Sequence, residues 1–372
     1  MKIALITIQN ANNYGAVLQT FAMQEILKKY GEVDVLNYEN RHISRSFDLI
    51  RLKPNFHGLL GAGKDLCRLF PRYRAINKFK KFISQKINLT ENLNYGDLVA
   101  GKANGYDIYV AGSDQIWNPV CVSDKGQIDL GYFLNFVPKE AKKISYASSM
   151  GGHLYTAEES QIVKRLLADF DHLAVREKNT QTNLMKLLGR PVEHVLDPTL
   201  LLNKQAWLKS LDIEEKKDKQ EKYILLYTVP KMPLIKQAVD FYSKKLGIKV
   251  ISLEQGLSAG AKVNRQVRDA GPKEFIELFA SAEFIITDSF HGTCFALNLE
   301  KPFVAVSPDK HANRIESLLG LVGLEQRIVR FESDLNHLET NVNLSDAIHR
   351  LESIRANSIA YINTSFASLN IV

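Results

Sequence analysis

Residues 283–306 read EFIITDSFHGTCFALNLEKPFVAV. A short apolar run, 283–287, gives way to Asp288, Ser289, His291 and Gly292, a helix-like apolar pattern resumes at once, and PFVAV (302–306) forms a second short run. Apolar runs of this length bounded by turn formers suit buried strands, and the stretch between them suits a helix. A strand, a crossover helix and a second strand predict a parallel pair. The turn at 288–292 then falls at the carboxyl end of the strands, the edge of an open parallel sheet where ligands bind.

The same alternation runs along the chain. Strands are expected at 2–8, 33–38, 106–111, 143–149, 173–176 and 192–197, then at 222–229, 248–253, 283–287 and 302–306. Between them lie helical patterns such as 15–31, where Val17, Leu18, Phe21, Ala22, Ile26 and Leu27 recur near i, i+3, i+4 and Gly31 is a stop signal. The polar run DIEEKKDKQEK (212–222) separates the first six strands from the other four. The expected architecture is α/β, with two doubly wound Rossmann-like domains facing each other across a cleft. The N-terminal domain spans 1–211 and the C-terminal domain 212–344. The helical pattern after Ser345 (345–372) is expected to return to the first domain. Neither half carries GxGxxG, and the first strand–helix turn reads QNANNYGAVLQ (9–19), so a dinucleotide-binding crossover is disfavoured.

The chain has 372 residues, 45% hydrophobic and 24% charged, enough for two cored domains. No apolar run approaches the ~18 residues of a membrane span, the run at 3–8 included; that run starts right after Met1-Lys2 and lacks a cleavage-site pattern, so a signal peptide is not expected. Cys67, Cys121 and Cys294 form no CxxC, which argues against a disulfide framework or structural zinc and fits a reducing cytoplasm. The net charge is +7, and its densest part is KDLCRLFPRYRAINKFKK (64–81), with seven Lys or Arg against one Asp. That segment reads either as a solvated amphipathic helix, interrupted at Pro71, or as an interfacial surface that approaches anionic lipid or a lipid-diphosphate substrate, at the inner face of a membrane. No helix-turn-helix, zinc or RNP motif accompanies it, so nucleic acid is not the expected partner.

Several strand ends carry residues suited to chemistry. Asn13 and Tyr14, after the first strand, make either a plain turn or an acceptor contact. In GSDQIWNP (112–119), Asp114 either caps a helix or joins Gln115 and Trp117 in holding a sugar, with carboxylate and amide on hydroxyls and the aromatic face on the ring. Arg176 ends a strand, where a guanidinium fork suits a carboxylate or phosphate; Asp197-Pro198 reads as a structural turn. Ser289 is placed to cap a helix starting near Phe290, leaving the N–H groups of His291, Gly292 and Thr293 as an anion site. His291 stands in that turn as a candidate acid–base group. Downstream, Lys310, His311 and Arg314 reach the same edge. There is no HExxH or Cys cluster for a metal and no GxSxG elbow.

The stretches NNYGAVLQTFAMQ (12–24), AGSDQIWNP (111–119), AVREKNTQ (174–181), VLDPTLLL (195–202) and DSFHGTCFALNLEKPFVAVSPDK (288–310) together resemble the polysaccharide pyruvyl transferase family, over roughly residues 1–325. The resemblance implies a glycosyltransferase-B-like architecture. It also implies transfer of the enolpyruvyl unit of phosphoenolpyruvate to a sugar of a polysaccharide or its lipid-diphosphate-linked precursor, as a ketal, with release of phosphate and no further cofactor or metal. The family's motif Arg falls on Arg176, its His on His291 and its phosphate-side Lys on Lys310. Those cations, Arg314 and the residues Ser289, Gly292 and Thr293 would hold phosphoenolpyruvate; His291 and Asp114 would be catalytic; Asn13, Tyr14, Gln115 and Trp117 would face the acceptor. The alternatives are a sugar-nucleotide-dependent glycosyltransferase of the same architecture and a non-catalytic carbohydrate-binding protein.

Overall fold

A computed structural model describes residues 1–50, 68–214, 221–307 and 313–369. The chain packs into two compact units. The first comprises Met1–Phe47, Ile83–Leu201 and Ser353–Val372; the second comprises Asp48–Phe82 and Leu202–Glu352.

In the first unit, strands β1 (Lys2–Ile6), β2 (Glu32–Tyr38), β3 (Leu89–Leu93), β4 (Ile108–Ala111) and β5 (Lys142–Ser145) form a sheet in the order β3-β2-β1-β4-β5, parallel throughout. A parallel pair, β6 (Ala174–Val175) and β7 (Glu193–His194), adjoins it through the single bridges Ile144–His172 and Ser148–Val175. In the second unit, β8 (Tyr223–Tyr227), β9 (Lys249–Leu253), β10 (Arg265–Val267), β11 (Phe284–Thr287), β12 (Phe303–Val306) and β13 (Ile328–Val329) run parallel in the order β10-β9-β8-β11-β12-β13. The longer helices are α1 (Tyr14–Leu27), α2 (Leu69–Lys86), α3 (Ala157–Ala168), α4 (Lys178–Leu188), α5 (Ile235–Leu246), α6 (Pro272–Ser281), α7 (Phe290–Asn298), α8 (Asn313–Val322) and α9 (Ser345–Ser368).

All ten expected strands are present. The additional ones, β3, β10 and β13, are edge strands. β3 reads LTENL and buries only its last residue, so it lacks the continuous apolar run by which a central parallel strand is recognised. β8 and β11, by contrast, are buried at every position. Each sheet rests on its own apolar core. Trp117, Phe133 and Phe170 lie in that of the first unit, and Ile224, Tyr242 and Phe284 in that of the second.

Pro71 does not interrupt α2. It lies in the first turn, where its missing N–H leaves no intrahelical bond unmade. The last helix begins in the second unit and ends in the first. There Arg355 Nε donates to the Leu200 carbonyl (2.6 Å), Ser358 Oγ accepts from Leu196 N (3.1 Å) and the Tyr361 hydroxyl donates to the Ser145 carbonyl (3.0 Å). Relative to a division at 212, the second unit also takes 48–82 and 202–211, and the C-terminal segment joins the first unit from Ser353 onward.

Candidate active site

Strand order fixes where each unit can bind a ligand. In the first sheet the order reverses between β1 and β4, and in the second between β8 and β11; at such a switch point the loops leaving neighbouring strands diverge and open a crevice at the carboxyl ends. The turns singled out by sequence, 9–15 and 112–118 in one unit and 288–292 in the other, lie at these two points. Two cavities of about 450 and 470 Å³ lie elsewhere in the second unit, one beside β13 and one beside β10 and α6.

At the second unit's switch point, Ser289 caps α7 as expected, its Oγ accepting from Gly292 N at 3.3 Å. That bond corrects the expected anion site: Gly292 N is taken by Ser289 Oγ, and Thr293 N donates to the Ser289 carbonyl at 2.9 Å. Gly292 has a packing role instead. A Cβ there would run into Thr287 Oγ1 and lie 2.9 Å from Tyr227 Cδ1, so glycine lets α7 sit directly on β11 and β8. Thr293 is fully buried, and its hydroxyl also donates to the Ser289 carbonyl. Asp288 is turned to the backbone of the neighbouring loop. Its carboxylate accepts from Val229 N (2.8 Å) and Met232 N (2.9 Å), pinning the loop that leaves β8. Burial pushes the Asp288 carboxyl above the usual range, and these N–H bonds hold it back. Burial likewise pushes the Tyr227 phenol up, against a hydrogen bond with the Ser289 side chain.

His291 is half-buried on the first turn of α7. Its ring meets Phe290 edge to face at 5.3 Å, and the guanidinium of Arg314, on α8, lies 5.7 Å from the Phe290 ring centroid. The fold thus gathers His291 and Arg314 around one aromatic ring, although they are separated by a whole strand in sequence. Lys310 and His311 lie outside the described residues. A cation that the motif pattern did not mark, Lys231, sits in the β8 loop with a left-handed backbone (φ 61°) and pairs with Glu254 at 3.2 Å. Its signal was a lysine between two prolines directly after a buried strand, in TVPKMP (228–233).

At the first unit's edge, Arg176 is the hub of a buried network. Nη1 reaches Asp197 Oδ2 at 2.9 Å, Nε reaches Glu177 Oε1 at 2.9 Å, and Nη2 lies 3.8 Å from Asp114 Oδ1. Hydroxyls complete it: Ser149 and Thr180 donate to Glu177, and Ser113 and Thr199 donate to Asp197. The guanidinium side chain is 1% exposed. Burial would lower its pKa, but Glu177, Asp197 and Asp114 more than offset this and raise it. Arg176 therefore does not present its fork to a ligand as expected; it ties together the loops leaving β4, β5, β6 and β7. Asp197-Pro198 is a structural turn as expected, Asp197 Oδ1 accepting from Thr199 N.

Asp114 is the carboxylate of this cluster that reaches the surface, 14% exposed against 6% for Glu177 and none for Asp197. It adopts a left-handed backbone (φ 71°), and its Oδ1 accepts from Gln115 N rather than capping a long helix. The Gln115 amide is held by Asn118 (2.8 Å) and abuts Gly151 so closely that no side chain fits there. Trp117 is not an acceptor platform. It is 1% exposed, its indole N–H donates to the Tyr132 carbonyl, and it stacks on Phe133 at 5.3 Å. Tyr14 is also buried, at 5% exposure, while Asn13 is exposed and caps α1 through Ala16 N. An unforeseen pair, at 3.1 Å, joins His153 Nε2 in the loop that leaves β5 to Glu159 Oε2 on the first turn of α3; Glu159 also accepts from Thr156 N in a capping box. Among the described residues, no three His, Cys, Asp or Glu side chains cluster as metal ligands, and no helix is long and apolar enough to cross a membrane.

Comparison with known proteins fits this arrangement. A sequence profile of the polysaccharide pyruvyl transferases matches residues 13–310. No curated protein sequence matches. Among solved structures, the chain is similar to the UDP-GlcNAc 2-epimerase of Neisseria meningitidis bound to UDP-GlcNAc (12% identity, TM-score 0.52, covering 99% of this chain and 100% of that one). It is similar also to S. aureus MnaA with UDP (12%, 0.51, 90% and 86%) and to the UDP-GlcNAc 2-epimerase of Methanocaldococcus jannaschii (12%, 0.51, 92% and 94%). At such identity the likeness concerns the fold, which is the glycosyltransferase-B-like one expected.

Proposed function

Because the chain belongs to the polysaccharide pyruvyl transferase family, we propose that it moves the enolpyruvyl unit of phosphoenolpyruvate onto two hydroxyls of a sugar, in a polysaccharide or its lipid-linked precursor, as a ketal. The observation that carries this reading beyond the family is the grouping of His291 and Arg314 around Phe290 at the switch point of the second unit. The donor has a carboxylate and a phosphate, so it needs fixed cations; Arg314 is the described candidate, with Lys310 beside it in sequence. Protonation at C3 turns the enol carbon C2 into an oxocarbenium-like centre. One sugar hydroxyl adds to C2, the C2–O bond to phosphate breaks, and the second hydroxyl closes the ring. Two hydroxyl protons are lost, one proton ends on C3 and one on the departing phosphate, so the reaction is balanced without an oxidant or reductant.

In this scheme His291 is the proton donor to C3, a role worth about 10²–10⁴-fold. On the first unit, Asp114, the surface-reaching member of the Arg176 cluster, is suited to accept from a sugar hydroxyl, with Gln115 and Asn13 as further polar candidates. Arg176 is a positioning residue that holds Asp114 in its left-handed turn. Fixed positive groups stabilise the departing phosphate. The test is acceptor-dependent phosphate release from phosphoenolpyruvate with galactose-, glucose- and mannosamine-type acceptors. His291→Asn is expected to lower kcat by about 10²–10⁴-fold with an unchanged fold, and Arg314→Met to raise KM for phosphoenolpyruvate. Wild-type rates in both variants would remove these residues from the site.

A further inference from the structure

Helix α2 (Leu69–Lys86) has two unlike faces. Ala75, Ile76, Phe79, Phe82 and Ile83 are buried. Phe70, Tyr73, Arg74, Asn77, Lys80, Lys81 and Ser84 are exposed and fall within an arc of about 120° at 100° per residue. The outer face starts with two aromatic rings one turn apart: Phe70 is 79% exposed and Tyr73 is 52% exposed. Two aromatic rings held this open to water one turn apart mark a candidate contact surface.

The charge on this helix is one-sided. It contains six Lys or Arg and no Asp or Glu. Part of that charge serves to seat it: Arg72 donates to the Asp48 carbonyl (3.0 and 2.7 Å), Arg74 pairs with Asp269 (2.9 Å) and Lys78 pairs with Glu274 (2.6 Å). Gly271 allows the close approach, since a Cβ there would lie 2.7 Å from Lys78 Cβ. The helix is thus fixed with its aromatic and lysine-bearing face outward. Lys80 and Lys81 lie on that exposed face.

We propose that this face seats the protein on an anionic bilayer, with Phe70 and Tyr73 entering at headgroup depth and Lys80 and Lys81 against the lipid phosphates. Basic side chains alone would suit any polyanion. A bare phenyl ring beside a tyrosine favours lipid, because the headgroup boundary takes up apolar rings together with cations on one helix face. The reaction proposed above plays no part in this inference.

The test is co-sedimentation of the full chain with phosphatidylcholine vesicles with and without phosphatidylglycerol, beside retention on double-stranded DNA. Binding is expected only to the phosphatidylglycerol vesicles. Phe70→Ser/Tyr73→Ser and Lys80→Glu/Lys81→Glu should each lower the partition coefficient about tenfold or more, with thermal melts matching the parent. Absence of binding to anionic vesicles overturns the proposal. So does equal binding by the Phe70/Tyr73 variant, or tighter retention on DNA than on vesicles, since either would reduce the face to a general polyanion contact.

Discussion

Replacement of Arg176 separates a ligand-binding arginine from a structural one. In Arg176→Ala the bonds to Asp197 and Glu177 at 2.9 Å and the contact with Asp114 at 3.8 Å are lost, and three carboxylates remain around a site in which the guanidinium was 1% exposed. Removing one partner of a buried ionic cluster costs about 3–5 kcal/mol, mostly for the charge left uncompensated. At roughly 2–4 °C per kcal/mol for a unit of this size, the melting temperature should fall by about 6–20 °C. Urea unfolding measures this. An Arg176→Ala protein with the parent's unfolding free energy but no affinity for phosphoenolpyruvate would refute the reasoning and return Arg176 to the ligand.

Gly292→Ala should destabilise by about 1–3 kcal/mol in urea, because its methyl group would enter the space of Thr287 Oγ1 and Tyr227 Cδ1; a neutral change would contradict the close seat of α7. Trp117→Ala should cost about 3–5 kcal/mol through the cavity it leaves beside Phe133 and Phe170. A stable Trp117→Ala protein that had lost only acceptor affinity would show that the indole faces the sugar after all. Burial holds His172 and His194 below the ordinary imidazole value of 6.5. Their neutral forms therefore favour the fold fully above about 6.5, and that share of stability falls as pH drops toward the folded values. His194→Gln should flatten the acid limb of the stability–pH curve, and an unchanged limb would count against it.

What the order of residues disclosed was local. Buried central strands such as YILLY and FIIT announce themselves by unbroken apolar runs, and the Ser289 cap by its bond to a group three residues on. β3 and β10 were not legible because an edge strand has a partner on one side only and tolerates polar residues, as in LTENL and RQV; β13, Ile328–Val329, is apolar and buried but too short to show a pattern. Trp117 looks like a sugar platform in DQIW, but the left-handed turn at Asp114 sends the chain back inward, so the indole enters the core. Arg176 reads as a lone strand-end cation because Asp114 and Asp197, two of its three carboxylates, stand far from it in sequence. The grouping of Arg314 with His291 likewise depends on the return of the chain through β12.

The central claim is transfer of an enolpyruvyl unit through protonation at C3. It is tested most directly by supplying phosphoenolpyruvate and the acceptor panel in D₂O and weighing the product. The account predicts phosphate release matched by one pyruvate ketal per acceptor, its methyl group carrying a single deuterium taken from solvent, with His291→Asn making almost none. Turnover of a sugar nucleotide on the same acceptors, with phosphoenolpyruvate untouched, would contradict it and leave the fold with a different donor.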